Sequence, residues 1–105
     1  MNRLEYLLEL HQEQPNDPFI VYGIMLEYKK NNSDETTQYV NLMLTSFPDY
    51  LATYYQAAEY FAEKGSYEKA LEIYEKGIAL AISLNEMKTL AELKNAKQNL
   101  EIDLL

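Results

Sequence analysis

Two prolines set the frame of this chain. Pro15, in Gln14-Pro15-Asn16-Asp17-Pro18, and Pro48, in Phe47-Pro48-Asp49-Tyr50, lie 33 residues apart. Each marks a place where one helix ends and the next is capped, because proline has no N–H to donate and pushes the preceding residue out of the helical region. A period of roughly 20–50 residues marks a stacked array, and one of about 33–34 fits a unit of two helices. With three Gly and three Pro in 105 residues, turn formers are too sparse for a β-sandwich or barrel, which needs one about every ten residues. The length supports one core, so the expected product is a single all-α domain over residues 1–105.

Between the punctuators the apolar residues recur at helical spacing. Leu4, Leu7, Leu8 and His11 share one face of a first helix over about 3–14. A second spans 18–30 and ends at Asn31-Asn32-Ser33-Asp34, since Asn tolerates the left-handed backbone that closes a helix and Ser or Asp caps the next. A third covers 35–46. The fourth, 50–64, closes on Lys64-Gly65-Ser66, which reads as a last-turn cation, a terminal Gly and a following cap. The fifth covers 67–83, and the sixth, 86–103, carries Met87, Leu90, Leu93, Leu100 and, just past it, Leu104.

The segment from Pro48 to Ile82 holds a denser pattern. Tyr54-x2-Ala57-Ala58-x2-Phe61 is followed by Gly65, Tyr67 and Ala70-x3-Tyr74-x2-Gly77. In each of these spacings it resembles a tetratricopeptide repeat (TPR), and the chain is similar to the small two-repeat bacterial type of that family. The resemblance implies a TPR-like α-solenoid of about six helices. Tyr54, Phe61 and Tyr74 then fill the space between paired helices, Tyr67 joins the packing set, and Ala58, Ala70 and Gly77 stay small where two backbones approach.

The same frame fits the first half, because Val21 follows Pro15 by the six residues that separate Tyr54 from Pro48. Val21-x2-Ile24-Met25-x2-Tyr28 repeats the first-helix spacing, and Thr36, Val40 and Met43 take the places of Ala70, Tyr74 and Gly77 after a turn one residue shorter. That shorter turn leaves the register of residues 29–36 open by one. The resemblance thus divides the chain into an N-terminal helix, 3–14, a degenerate repeat, 18–46, a second repeat, 50–83, and a capping helix, 86–103, that covers the apolar end of the array.

Charge and composition exclude several functions. Seventeen acidic against nine basic residues give a net charge of −8, which repels phosphate backbones and anionic lipid. Neither nucleic acid nor a membrane is an expected partner. The content of 48% hydrophobic residues is too high for a disordered acidic tail, and zero Cys removes disulfides and thiolate chemistry. The longest uncharged apolar runs, Phe19 to Leu26 and Gly77 to Leu84, are eight residues each, against the ~20 needed to cross a bilayer. Glu5 and Glu9 interrupt what an export signal would need as an apolar segment, so a cytoplasmic protein is expected. The sole histidine, His11, rules out paired imidazoles for zinc or acid–base work. Gly23, Gly65 and Gly77 are isolated, so there is no phosphate loop. Glu68, Glu72 and Glu75 alternate with Lys69 and Lys76 as on a solvated, ion-paired helix face. Asn31-Asn32-Ser33 fits a glycosylation acceptor but reads more simply as a turn. No catalytic residue, cofactor or metal is expected.

In the TPR resemblance the inner, concave surface is lined by the first helix of each repeat. Carried over one at a time, its residues are Phe19, Tyr22, Leu26 and Lys29, then Ala52, Tyr55, Glu59, Ala62 and Glu63. Phe19, Tyr22, Leu26 and Tyr55 would form an aromatic and apolar strip suited to a protein or peptide partner, since Tyr offers large area at low rotamer entropy. Glu59 and Glu63 favour Lys or Arg in that partner. The family's clamp of Lys, Asn and Arg for a C-terminal carboxylate is absent, because Tyr22, Leu26, Tyr55 and Glu59 stand in its place. The expected function is a non-catalytic interaction module that holds a peptide or helix in this groove. Two alternatives remain: a homodimer through the groove or the last-helix stripe Leu90, Leu93, Leu100 and Leu104, interrupted by Lys97, or burial of the strip by the chain's own last helix.

Overall fold

The computed structural model describes all 105 residues as six helices and no strands. They are α1 (Arg3–Glu13), α2 (Pro18–Lys30), α3 (Thr36–Ser46), α4 (Ala52–Glu63), α5 (Tyr67–Ser83) and α6 (Met87–Asp103). The bounds differ from the spacing-based ones by two residues or fewer. The largest shift is at α4, because the Pro48 turn, with Tyr50 N–H donating to Phe47 O at 3.1 Å, runs on to Leu51. The chain divides into two compact units, Met1–Tyr50 and Leu51–Leu105, and the boundary falls just after that turn.

In the first unit α2 packs against both α1 and α3. Its start is fixed locally: the Asp17 carboxylate accepts from the Phe19 N–H at 2.9 Å and Pro18 occupies the first turn, where a missing N–H costs nothing. Asn2 does the same for α1, accepting from the Glu5 N–H at 2.8 Å. Leu7, Ile20 and Ile24 form one apolar cluster, with Leu4, Leu8, Leu10, Tyr28 and Tyr39 packed on it, and Val21, Met25, Val40 and Met43 are fully buried. The face of α1 expected to be apolar is thus the one that turns inward.

In the second unit α5 packs against α4 and α6, while α4 and α6 meet over a shorter stretch. Tyr54, Ala57, Ala58 and Phe61 of α4 are buried with Ala70, Ile73, Tyr74 and Ala81 of α5. The only buried residue of α6 is Leu93. Burying such a side chain is worth ~1.5–3 kcal/mol. The Lys97–Glu75 pair from α6 to α5, at 3.5 Å, adds at most ~1 kcal/mol at the surface, so Leu93 is the principal anchor of the last helix.

The frame laid on both halves places like with like. Val21, Ile24 and Met25 are buried as Tyr54, Ala57 and Ala58 are, and Thr36, Val40 and Met43 as Ala70, Tyr74 and Gly77 are. The helix ends settle the open turn register. Asn32 (φ 53°) and Gly65 (φ 81°) both adopt the left-handed conformation, each followed by a residue whose N–H reaches back across the last turn: Ser33 to Tyr28 O at 3.0 Å and Ser66 to Phe61 O at 2.8 Å. This is the Schellman closure. It recurs after α5, with Asn85 at φ 58° and Glu86 N–H bonded to Ala81 O at 2.9 Å.

Two expectations need correction. Ser66 stands at the start of α5 but makes no capping bond with its side chain. Its ψ of 65° departs from the extended backbone of Asn2 (175°) and Asp17 (107°), which is the geometry that swings an oxygen onto the first-turn N–H groups. Tyr67 is not a packing residue: in the first turn of α5 it is 45% exposed.

Candidate interaction surface

On α2 the four residues expected to line an inner surface sit differently. Phe19 is 66% exposed, a large apolar ring left in water, whereas Tyr22, Leu26 and Lys29 are half-buried. Tyr22 leans on Tyr50, with ring centroids 5.3 Å apart. Burial, and then the neighbouring Tyr50, raise the Tyr22 phenol above its ordinary pKa. Burial followed by the Asp17 carboxylate does the same to Tyr50. Beside this pair the start of α2 and the Pro48 turn border a cavity of about 320 Å³, lined by Pro18 and residues 46–50.

On α4 the expected residues belong to a second, larger cavity. Tyr55, Glu59, Ala62 and Glu63 form one wall of a cavity of about 430 Å³, Tyr67 and Tyr74 of α5 form the second, and the C-terminal half of α6 with Leu104 forms the third. Ala52 is exposed but lies outside the lining. Tyr55 meets Tyr74 edge-on, with centroids 6.3 Å apart and planes 78° from parallel, the geometry that aromatic quadrupoles favour. Burial pushes the Tyr74 phenol up to about 12, with Tyr55 and Glu59 contributing after it.

The charges around this cavity are one-sided. Its ionisable carboxylates are Glu59, Glu63 and Asp103, and no lysine or arginine lines it. Elsewhere in the second unit, Lys64 lies over the Tyr60 ring at 5.6 Å, Lys69 over Phe61 at 4.3 Å, and Lys97 against Glu75. No group of three or more His, Asp or Glu residues is placed to hold a metal ion, and no helix is long and apolar enough to cross a membrane.

Two solved structures superpose on most of this arrangement. One is the solution NMR structure of a tetratricopeptide repeat domain protein from Salinibacter ruber, 29% identical, with a TM-score of 0.78 over 84% of this chain and 90% of that one. The other is a crystal structure of a tetratricopeptide repeat domain protein from the same organism, 28% identical, with a TM-score of 0.76 over 81% of this chain and 96% of that one. The chain has a tetratricopeptide-repeat fold. No family model and no curated protein matches it.

In the repeat frame expected from the sequence, α2 and α4 stand as first helices and α3 and α5 as second helices. The pocket combines a first helix, its second helix and the following α6. Of the residues expected on an inner surface, Tyr55, Glu59, Ala62 and Glu63 line this cavity, beside Tyr67, Tyr74, Ala96, Asn99, Leu100, Asp103 and Leu104, which were not among them. Tyr74 was assigned to packing alone, yet its buried ring also borders the pocket. A signal for Leu100 existed in the apolar stripe of the last helix, but nothing in it says which face of α4 that stripe meets.

Proposed function

We propose that this chain is a non-catalytic protein-interaction module that holds a peptide or helix through Phe19, Tyr22, Leu26 and Lys29 on α2 and Ala52, Tyr55, Glu59, Ala62 and Glu63 on α4. The observation that carries this reading is the combination of a TPR fold with an open, tyrosine-lined pocket on the first helix of the second repeat. Helical walls that exist before the partner arrives keep the ordering cost of binding low. The carboxylates on α4 favour a partner with basic residues.

The test is selection of random displayed peptides on the immobilised protein, with recovered peptides measured against Tyr22→Ala/Tyr55→Ala. Peptides that bind the unaltered protein and lose at least tenfold on the variant support the reading. Recovery of none, or equal affinity for both proteins, overturns it. A second reading, self-association, is favoured by one observation: Met87, Ile102 and Leu104 around α6 are each 42% or more exposed. Light scattering across a concentration series separates the two, because a concentration-independent monomer removes self-association.

A further inference from the structure

We propose that the hollow between the start of α2 and the Pro48 turn takes a proline-rich segment of a partner in the polyproline II conformation, with a flanking arginine or lysine meeting Asp49. This deepens the reading above and rests on it for the source of the ligand, a peptide. All the residues concerned belong to the first unit. The walls are largely rings: Pro18 from α2 on one side, and Phe47, Pro48 and Tyr50 from the turn on the other. The volume of about 320 Å³ is at the low end of the roughly 300–1,000 Å³ usual for sites that enclose a small group. Tyr22 of α2 lies against Tyr50, with centroids 5.3 Å apart and planes tilted by 47°. Both walls are set by local bonds before any partner arrives: the Tyr50 N–H donates to Phe47 O at 3.1 Å, and Asp17 accepts from the Phe19 N–H at 2.9 Å. Little ordering is left for binding to supply.

The polar groups select among occupants. Ser46 and Tyr50 bring hydroxyls to the lining, and Tyr22 stands beside them; each hydroxyl can donate a hydrogen bond. A polyproline II segment makes no internal hydrogen bonds, and its prolines offer carbonyls without N–H groups, so donors are what it needs. A helix spends its carbonyls on its own turns and has no such use for them. Aromatic-lined grooves take polyproline II segments because the ligand is extended before it binds. Charge narrows the choice again. Asp49 is in the lining, no lysine or arginine is, and Asp17 stands close enough to act on the Tyr50 phenol. A cation next to the prolines complements that rim, and an acidic peptide is repelled by it.

The probes are three capped heptapeptides: six prolines followed by arginine, six prolines followed by citrulline, the neutral isostere of arginine, and six alanines followed by arginine. Each is titrated into nitrogen-15-labelled full-length protein while amide shifts are followed. Saturable shifts clustered at residues 17–22 and 46–50 are expected with the proline–arginine peptide, with at least threefold weaker binding of the citrulline peptide and at least tenfold weaker binding of the alanine one. Tyr50→Ala should weaken the proline–arginine peptide at least tenfold, and Tyr50→Phe, which keeps the ring and loses the donor, several-fold. Asp49→Asn should bring that peptide down to the affinity of the citrulline one and leave the latter unchanged. Asp49 is exposed, so this variant should melt like the unaltered protein and carries the test even if Tyr50→Ala does not fold. Asp34→Asn removes the same charge at an exposed position outside the hollow and should change affinity less than twofold. Equal losses in Asp49→Asn and Asp34→Asn would reduce the effect to general acidity and overturn the proposal, as would no binding of the proline peptides or equal binding of the alanine one. Failure here is distinguishable from failure of the broader reading: displayed peptides that lose affinity on Tyr22→Ala/Tyr55→Ala but bind Tyr50→Phe and Asp49→Asn as well as the unaltered protein would sink the proline site and leave the interaction module standing.

Discussion

Gly77 of α5 faces Tyr54 of α4 so closely that a Cβ on Gly77 would lie 2.6 Å from the Tyr54 Cβ and 3.2 Å from Leu93 Cδ1 of α6. Three helices converge on a position with no side chain. The atom in the way on Tyr54 is the root of its side chain, which moves only if the helix moves. Gly77→Ala gains ~1 kcal/mol of helix propensity but forces α4 and α5 apart, and the net expectation is a loss of ~1–3 kcal/mol in denaturant melts. Gly23 is the contrast. There only the methyl carbons of Leu7, at 3.2 and 3.4 Å, would have to give, so Gly23→Ala should stay within ~1 kcal/mol of the unaltered protein.

Neighbouring tyrosines on α4 should part company. Tyr54 is buried in the α4–α5 seam, while Tyr55, one step or about 100° further round the helix, is half-buried at the pocket wall. Tyr54→Ala should cost on the order of 3–5 kcal/mol. Tyr55→Ala should cost ~1–2 kcal/mol, chiefly the edge-on contact with Tyr74. Thermal melts of the two variants check the order, and equal losses would place Tyr55 in the core.

Thr53 is fully buried, and its hydroxyl oxygen has no hydrogen-bond partner. A buried polar group without a partner costs ~1–3 kcal/mol. Thr53→Val replaces that hydroxyl by a methyl group of similar size, and the variant should be more stable by about 1 kcal/mol. An unchanged or lowered midpoint in urea would show that the hydroxyl is satisfied in solution.

Alkaline pH should loosen the second unit through Tyr74. Its phenol ionises near 12 in the folded chain and near 10 when unfolded, so the folded state holds that proton more tightly. The stabilisation is fully present below pH 10 and is lost as pH rises from 10 towards 12. Tyr74→Phe, which cannot ionise, should lose less stability over that window than the unaltered chain does. Melts at pH 9, 10 and 11 read the difference, and parallel curves would count against it.

Much of this was readable from residue order alone because helical spacing and punctuation carry it. Val21, Ile24 and Met25 repeat Tyr54, Ala57 and Ala58 at the same offsets, and both sets are buried. The degenerate turn was harder, since Asn31 and Asn32 both tolerate a left-handed backbone; only the observed φ of 53° identifies Asn32 as the counterpart of Gly65. Ser66 misled because its capping depends on ψ, which residue type does not fix. The pocket was half legible. Tyr55 and Glu59 follow from the repeat frame, whereas Leu100 and Asp103 join them only through the way α6 turns back on Leu93. Tyr67 and Tyr74 are alike in sequence and differ only in where α5 begins to be covered.

The mode of attachment of α6 has a consequence for how the second unit would report an occupant. The helix is held by one buried leucine, by half-buried Leu90, Ala96 and Leu100 and by one surface ion pair, and it supplies the third wall of the pocket. The cavity therefore exists only in molecules whose last helix is in place, so filling it and fraying it draw on a single equilibrium. Whatever free energy a guest gains there must reappear as resistance of α6 to local opening. Backbone amide exchange along residues 93–103 becomes a gauge of occupancy, readable even for a guest too small or too weakly bound to shift the melting of the whole chain.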